Sequence, residues 1–600
     1  MPGAGRDAGA RRSGHEGVRL SGVLGPKTGG GGTTDRPGHY KWVVLTNTTL
    51  GVLMATIDIS IMLIALPDIF RGIGIDPLAP GNSFYLLWMI LSFMVVTSVL
   101  VVSLGRLGDM YGRVRMYNMG FVVYTFFSLL LTITWLSGTA AALWLVIMRV
   151  FQGVGAAMLM ANSAAILTDA FPEDQRGMAI GVNQVSAISG SFIGLVLGGL
   201  LAPIQWRLIF LVSVPVGVFG TIWAYHSLRE VPRRGTARLD WPGNLTFALG
   251  LIAIMVGITY GIQPYGHSTM GWTSPFVLGT LGGGVALLTA FALIERRAAD
   301  PMFRLSLFRI RAFTAGSLSS LLSSVGRGGL MFMLIIWLQG IWLPRHGYSF
   351  SQTPLWAGIY MLPLTAGFLL AGPLSGLLSD RFGSRPFATG GMIAAAASFL
   401  LLELLPINFS FWEFGLILLV NGLSMGTFAA PNRAGVMNSL PQQHRGVGSG
   451  MNSTFQNSAQ VLSIGIFFTL MIVGLSSTLP ATLDHGLLAH DVPATVANTA
   501  AHLPPVSILF SAFLGYSPVQ HLVGPAVLAH LPAGQAAALT GRSFFPSLIS
   551  GPFASGLHTA FDFAVGACLA AAAMSWLRGG KYHYHEEAEP QAQASEARVA

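Results

Sequence analysis

Apolar runs of about 20 residues recur along this chain, and short polar segments between them hold most of its charge. A run of that length crosses the ~30 Å hydrocarbon core of a bilayer as an α-helix. We read fourteen, at roughly 43–66, 84–104, 116–136, 140–161, 178–201, 206–227, 242–262, 274–294, 313–340, 355–376, 387–405, 411–431, 448–474 and 556–577. A membrane β-barrel would instead show ~10-residue segments of alternating polarity. The pattern predicts an all-α polytopic membrane protein.

The polar segments carry a second signal. Arginines crowd into alternate loops, including Arg106, Arg113 and Arg115, then Arg296 to Arg311, then Arg381 and Arg385. The intervening loops hold few, such as Arg71, Arg207 and Arg345. The rich side is expected to be cytoplasmic, and an even span count places both termini there. The net charge of +9 therefore reads as orientation, and a nucleic-acid partner is not expected. Charged residues make up only 10% of the chain and mean hydropathy is +0.62, as a membrane protein requires. The single cysteine, Cys568, rules out an internal disulfide and reads as packing. Lysine occurs only at Lys27, Lys41 and Lys581, a bias that suggests a bacterial source.

One short loop concentrates charge and glycine. Residues 105–115 read GRLGDMYGRVR. This resembles the loop signature of the major facilitator superfamily, through Gly105, Leu107, Asp109, Gly112, Arg113 and Arg115. The resemblance implies a gating role for the loop, with Asp109 capping a helix N-terminus or pairing with an arginine. A twin at 376–386, GLLSDRFGSRP, repeats Gly376, Asp380 and Gly383 at an offset of 271 residues. Independently, RGMAIGVN at 176–183 matches RGVGSGMN at 445–452 at an offset of 269. Two matches at nearly one offset indicate duplication. Each pair lies eight spans apart, where two plain six-span halves would give six, so two extra spans sit between the halves.

The expected domains follow. Residues 1–41 form a disordered tail, 42–228 a six-helix bundle, and 229–312 a two-helix insertion with its flanking loops. Residues 313–577 form the second six-helix bundle, including a long external connection at 475–555, and 578–600 a polar tail. The apolar stretch 506–514 within that connection reads as lying on the membrane or capping the molecule. Its histidines lack an H-x-x-x-H pair, and no metal is expected.

Ionisable side chains inside spans are costly, roughly 2.5–3.5 kcal/mol each on insertion scales, and so are candidate functional groups. Asp58 lies ~18–22 Å into the first span and Arg149 ~9–13 Å below the outer surface in the fourth, so a pair between them is possible. Asp58, Ser60, Ala65, Leu66 and Pro67 resemble the first-span signature of the fourteen-span drug:proton antiporters. Arg149, Gln152, Gly153, Gly155, Ala156 and Ala157 resemble the fourth-span signature. The resemblance implies that Asp58, Arg149 and Gln152 couple protons to substrate; the alternative is a permanent structural pair. The repeat offset carries Asp58 to Arg327 in the ninth span and Arg149 to within two residues of Asn421 in the twelfth. Both are candidate cavity residues. Arg327 would bind an anionic or mixed-charge group, or else rest against Asp58 or Asp562. Asp562 follows His558 by one turn and could form a pH-sensitive pair.

The fifth span carries Gly190, Gly194, Gly198 and Gly199 where the family has a glycine-rich signature, but Leu195 replaces its proline. No phosphate-binding loop is present, so the resemblance implies drive by the proton gradient with no cofactor. The expected function is proton-coupled efflux of amphipathic or cationic small molecules from a bacterial inner membrane, by a monomer rather than an enzyme. The alternatives are an exporter of an endogenous lipid, siderophore or secondary metabolite, and a membrane sensor or embedded enzyme.

Overall fold

The computed structural model describes residues 37–579, apart from 80, 231–239, 267, 269, 299–300, 302, 442–444, 517–518, 520–522 and 524–527. The expected tails at 1–36 and 580–600 lie outside the described residues. Among those described, fourteen helices are long and apolar enough to cross a membrane. They extend past the apolar runs: the first is Pro37–Ile73, so its start takes in residues assigned above to the tail. The second is Asn82–Tyr111, the third Arg113–Thr132, the fourth Gly138–Ala170 and the fifth Glu173–Leu201. The sixth is nearly continuous over Leu208–Ser227.

The seventh and eighth helices, Trp241–Gly261 and Pro275–Arg297, pair with each other as the two-helix insertion. This hairpin packs on the second and thirteenth spans, one from each half, and so lies along the seam. Ser103 on the second span donates a hydrogen bond to Asn244 on the seventh. Asp240 starts the hairpin by accepting from the Gly243 amide at 3.0 Å, an N-cap worth roughly 1 kcal/mol.

The second half begins with a broken ninth span. Arg311–Arg327 gives way at Gly328–Gly329 to Leu330–Ile336, then to a wider helical turn over Trp337–Trp342. The tenth span is likewise in two pieces, Thr353–Tyr360 and Leu362–Phe382. The eleventh is Ser384–Glu403, the twelfth Phe411–Asn438, the thirteenth Arg445–Leu488 and the fourteenth Phe544–Trp576.

The duplication is visible in backbone conformation. Gly112 and Gly383 separate the second and third spans, and the tenth and eleventh, as single residues at φ +109° and +91°. Only glycine adopts such angles at low cost. The two halves are thus two six-helix bundles, with the extra hairpin between them in sequence.

The long connection needs correction. Between 475 and 555 most of the described chain is helical and packed, not an open external loop. The thirteenth helix continues to Leu488, short helices follow at Ala494–Ala501, Pro505–Phe513 and Ala533–Thr540, and the fourteenth starts at Phe544. Pro493, Pro504 and Pro532 each stand at a helix N-terminus, where a missing amide hydrogen costs nothing. Every residue of Pro505–Phe513 is buried, so this stretch caps the molecule.

Candidate functional site

The first and fourth spans cross near their middles, and close packing holds them there. Gly155 lies against the Tyr124 backbone of the third span, and Gly153 against Phe93 of the second. At this crossing Arg149 and Asp58 form an ion pair and are 1% and 0% exposed. Arg149 Nη1 also donates to Gln152 Oε1 at 2.9 Å, and Gln152 Nε2 donates to Asp58 Oδ1 at 3.1 Å. The three side chains that sequence singled out therefore close into one ring. Each carboxylate oxygen has a donor, so the charge is fully held.

Four further groups complete the ring. Gln152 Nε2 donates to Ser128 Oγ at 2.9 Å, and Arg149 Nε donates to the Met89 carbonyl at 3.3 Å. The guanidinium stacks over Phe93, 4.4 Å from its centroid, and the buried Tyr124 stands beside Asp58. No local spacing marks Ser128, Met89, Phe93 or Tyr124, because each comes from a neighbouring helix. A buried pair of this kind is kept by geometry: removing one member leaves an uncompensated charge, at a cost of about 3–5 kcal/mol.

The other candidates stand apart from this ring. Arg327 ends the first segment of the ninth span; that segment packs on the twelfth, thirteenth and fourteenth spans, yet the Arg327 side chain is exposed. Among the described residues it makes no ion pair with Asp58 or Asp562. Asn421 is buried and donates to Ser398 Oγ at 2.7 Å. Asp562 and His558 share an exposed face of the fourteenth span but do not bond to each other. That face is opposite Ala564, Ala567, Cys568 and Ala571, which turn toward the ninth span. The expected His558–Asp562 pair is thus not formed, and Asp562 points away from the seam. Cys568 is buried and free.

The arginine-rich end carries its own latch. Arg113 Nε donates to Asp109 Oδ1 at 2.7 Å, and its Nη1 donates to Asp169 Oδ2 at 2.9 Å. Asp109 thus pairs with an arginine rather than capping a helix. The cap of the third span comes from Glu230, which accepts from the Val114 and Arg115 amides at 3.3 and 2.9 Å. Its negative charge also suits the positive end of the helix dipole. Gly112 must lack a side chain, since one would meet the Glu230 carboxylate. Gly105 lies under Ala161, and Arg115 contributes its amide. The Asp380 side chain in the twin loop lies outside the described residues. There Arg578 takes over: Nη1 donates to Ser384 Oγ at 3.2 Å and Nη2 to Asn432 Oδ1. Burial pushes this guanidinium down to about 10.

The fifth-span glycines set the seam. Gly190, Gly194 and Gly198 seat the fifth span on the first, at Leu53 and Thr56, at Ile57 and Ser60, and at Ile61 and Ile64. Gly199 faces the other half and lies against the Leu355 backbone of the tenth span. The Leu195 carbonyl abuts Gly358, and the helix runs unbroken through Leu195. Gln339 Nε2 donates to the Ile64 carbonyl at 3.2 Å, also across the halves. The contacts that cross the halves lie toward the end remote from the arginine-rich loops. At the arginine-rich end the fifth span exposes Val182, Gln184 and Val185, and Arg433 Nη1 reaches Gln184 at 2.9 Å. The seam is tight at one end and loose at the other.

The profile of the Major Facilitator Superfamily matches residues 48–324 and 237–464. The chain belongs to that superfamily. The resemblance read from its loop and span motifs holds for the family and for the span count. Among curated relatives, the riboflavin transporter RibZ of Clostridioides difficile is 26% identical over 78% of this chain and 95% of its own. The methyl viologen resistance protein SmvA of Salmonella typhimurium is 29% identical over 74% of this chain and 86% of its own. The multidrug resistance protein Stp of Mycobacterium tuberculosis is 28% identical over 81% and 90%. Among solved structures, an inward-facing bacterial homolog of the human lysosomal transporter Spinster superposes with a TM-score of 0.57 at 15% identity. It covers 91% of this chain and 98% of its own, and it supports the fold.

Proposed function

We propose that this protein is a proton-coupled exporter of amphipathic small molecules, drugs and antibiotics among them, that works by alternating access between its two halves. The observation that carries the reading is the closed, fully buried Asp58–Arg149–Gln152 ring. Asp58 is the proton-binding group. Its protonation neutralises one half of the pair and frees Arg149, which changes the packing between the first and fourth spans. That exchange biases the seam between its tight and loose ends. Gly199 lets the fifth span meet the tenth closely at the tight end, and the Arg113–Asp109–Asp169 latch steadies the arginine-rich end. Relatives named for resistance to methyl viologen and to several drugs support an efflux role.

The arginine-rich face is proposed to be cytoplasmic, by the distribution of loop charge. The proton gradient supplies the energy, with no cofactor. Everted membrane vesicles test the reading. With a pH gradient, vesicles bearing the native chain should accumulate a transported dye, and Asp58→Asn should abolish the dependence on the gradient. Full gradient-driven accumulation by Asp58→Asn would overturn the assignment of Asp58. A second reading, export of a metabolite made by the cell, is favoured by the relative named for riboflavin transport. Build-up of such a metabolite in a deletion strain that shows no drug sensitivity would select it.

A further inference from the structure

Charge within the spans is not distributed as a site for cations alone would need. The Asp58 carboxylate has no exposure and both its oxygens are occupied. Asp562 stands on the outer face of the fourteenth span. Arg327, in contrast, is exposed on a segment that packs on the twelfth, thirteenth and fourteenth spans, and it has no hydrogen bond or ion pair among the described residues. A second partly accessible cation, Arg433, lies five residues from the arginine-rich end of the twelfth span and donates to the neutral Gln184 amide, with no ion pair among the described residues. Both of these accessible charges are positive.

We propose that Arg327 receives an anionic group on the cargo, so that the transported class includes amphipathic organic acids, either simple carboxylates or zwitterions. This rests on the export reading and narrows it. An unpaired guanidinium within a span is costly unless a partner arrives during the working cycle. Its planar fork of donors fits a carboxylate through two parallel hydrogen bonds. The break at Gly328–Gly329 supports this placement. Both glycines lie hard against the thirteenth span, at Ser463 and Phe467, which fixes the end of the segment that carries Arg327. Arg433, nearer the mouth, draws the same charge inward before it reaches Arg327.

The test uses the full-length protein, with 1-pyrenebutyrate as the amphipathic carboxylate and ethidium as a permanent cation. Equilibrium binding is measured in detergent, and pH-driven uptake in proteoliposomes. The native protein should bind and move pyrenebutyrate. Arg327→Gln should weaken that binding about tenfold or more, as expected for the loss of a hydrogen bond to a charged group. Arg327→Lys should retain most of it, and ethidium binding should not fall in either variant. In the native protein, pyrenebutyrate but not ethidium should protect Arg327 from phenylglyoxal, read by peptide mass, which requires no variant to fold. Pyrenebutyrate binding unchanged in Arg327→Gln, or an Arg327 that is not protected, would overturn the inference. Uptake of ethidium with no binding of pyrenebutyrate would also overturn it and leave the export reading standing. Arg327-dependent binding of pyrenebutyrate with no gradient-driven uptake of either dye would sustain Arg327 as the carboxylate-binding group and reject proton-driven export.

Discussion

At the scale of single residues, the molecule is organised around one sequestered pair and one uncovered cation. Asp58 and Arg149 were legible in sequence because a charge in an apolar run is conspicuous and expensive. Gln152 followed from the motif beside Arg149. Their partners Ser128, Phe93 and the Met89 carbonyl were not legible, since each is an ordinary residue brought in by a neighbouring helix. Glu230 was equally silent: its value lies in meeting the start of a helix 115 residues earlier. The pair makes a sharp prediction. Asp58→Leu should lower stability by about 3–5 kcal/mol, because Arg149 is left buried and unpaired, and Asp58→Leu with Arg149→Met should recover most of that loss. Thermal unfolding of the solubilised protein measures both, together with Arg149→Met alone, and a double-variant loss equal to the sum of the two single losses would show that the pair is not coupled.

At the scale of elements, glycine and proline account for what sequence did and did not reveal. The four fifth-span glycines read as a close-packing face, and three of them do pack on the first span. The fourth, Gly199, turns to the opposite half, which a helical repeat alone does not disclose. Gly199→Leu should drive the fifth and tenth spans apart at their tight end. Spin labels at Ile204→Cys and Ser351→Cys, both exposed positions, should report a longer distance in that background. The native Cys568 is buried and should not compete for label. An unchanged distance would mean that the seam closes elsewhere. Pro493, Pro504 and Pro532 each open a helix in the long connection, and a proline that starts a helix and one that ends it look alike without the neighbouring turns.

At the scale of the whole molecule, the duplication and the span count were written in the loops, while the closure of the tight end was not. The buried helix Pro505–Phe513 packs on the wide turn Trp337–Trp342 and touches the second span, so it bridges the halves. Phe510 stacks on Phe468 at 5.0 Å, Phe513 meets Phe332, and Gly340 lets the short helix approach closely. A stretch with such aromatic anchors belongs to the core of the closed state. Phe510→Ser with Phe513→Ser should loosen it and speed the reaction of Gln339→Cys, normally buried, with a thiol reagent that cannot cross membranes. An unaltered rate would show that the cap is not what seals this end.

The contrast between a neutral buried pair and a bare Arg327 also has an electrical consequence. A bacterial membrane is a charged capacitor, and a unit charge crossing its whole field gains ~2.3 kcal/mol per 100 mV. The Asp58–Arg149 pair carries no net charge, so the empty carrier feels that field chiefly through its unmatched arginines. On the proposed orientation, with the arginine-rich face cytoplasmic, an inside-negative voltage should hold the unloaded protein with Arg327 turned inward, ready for cargo. A bound monoanion cancels that pull and releases the loaded form to turn outward. A voltage step applied to the cargo-free protein on a solid-supported membrane should therefore give a brief displacement current. That current should shrink when pyrenebutyrate is present and be smaller in Arg327→Gln.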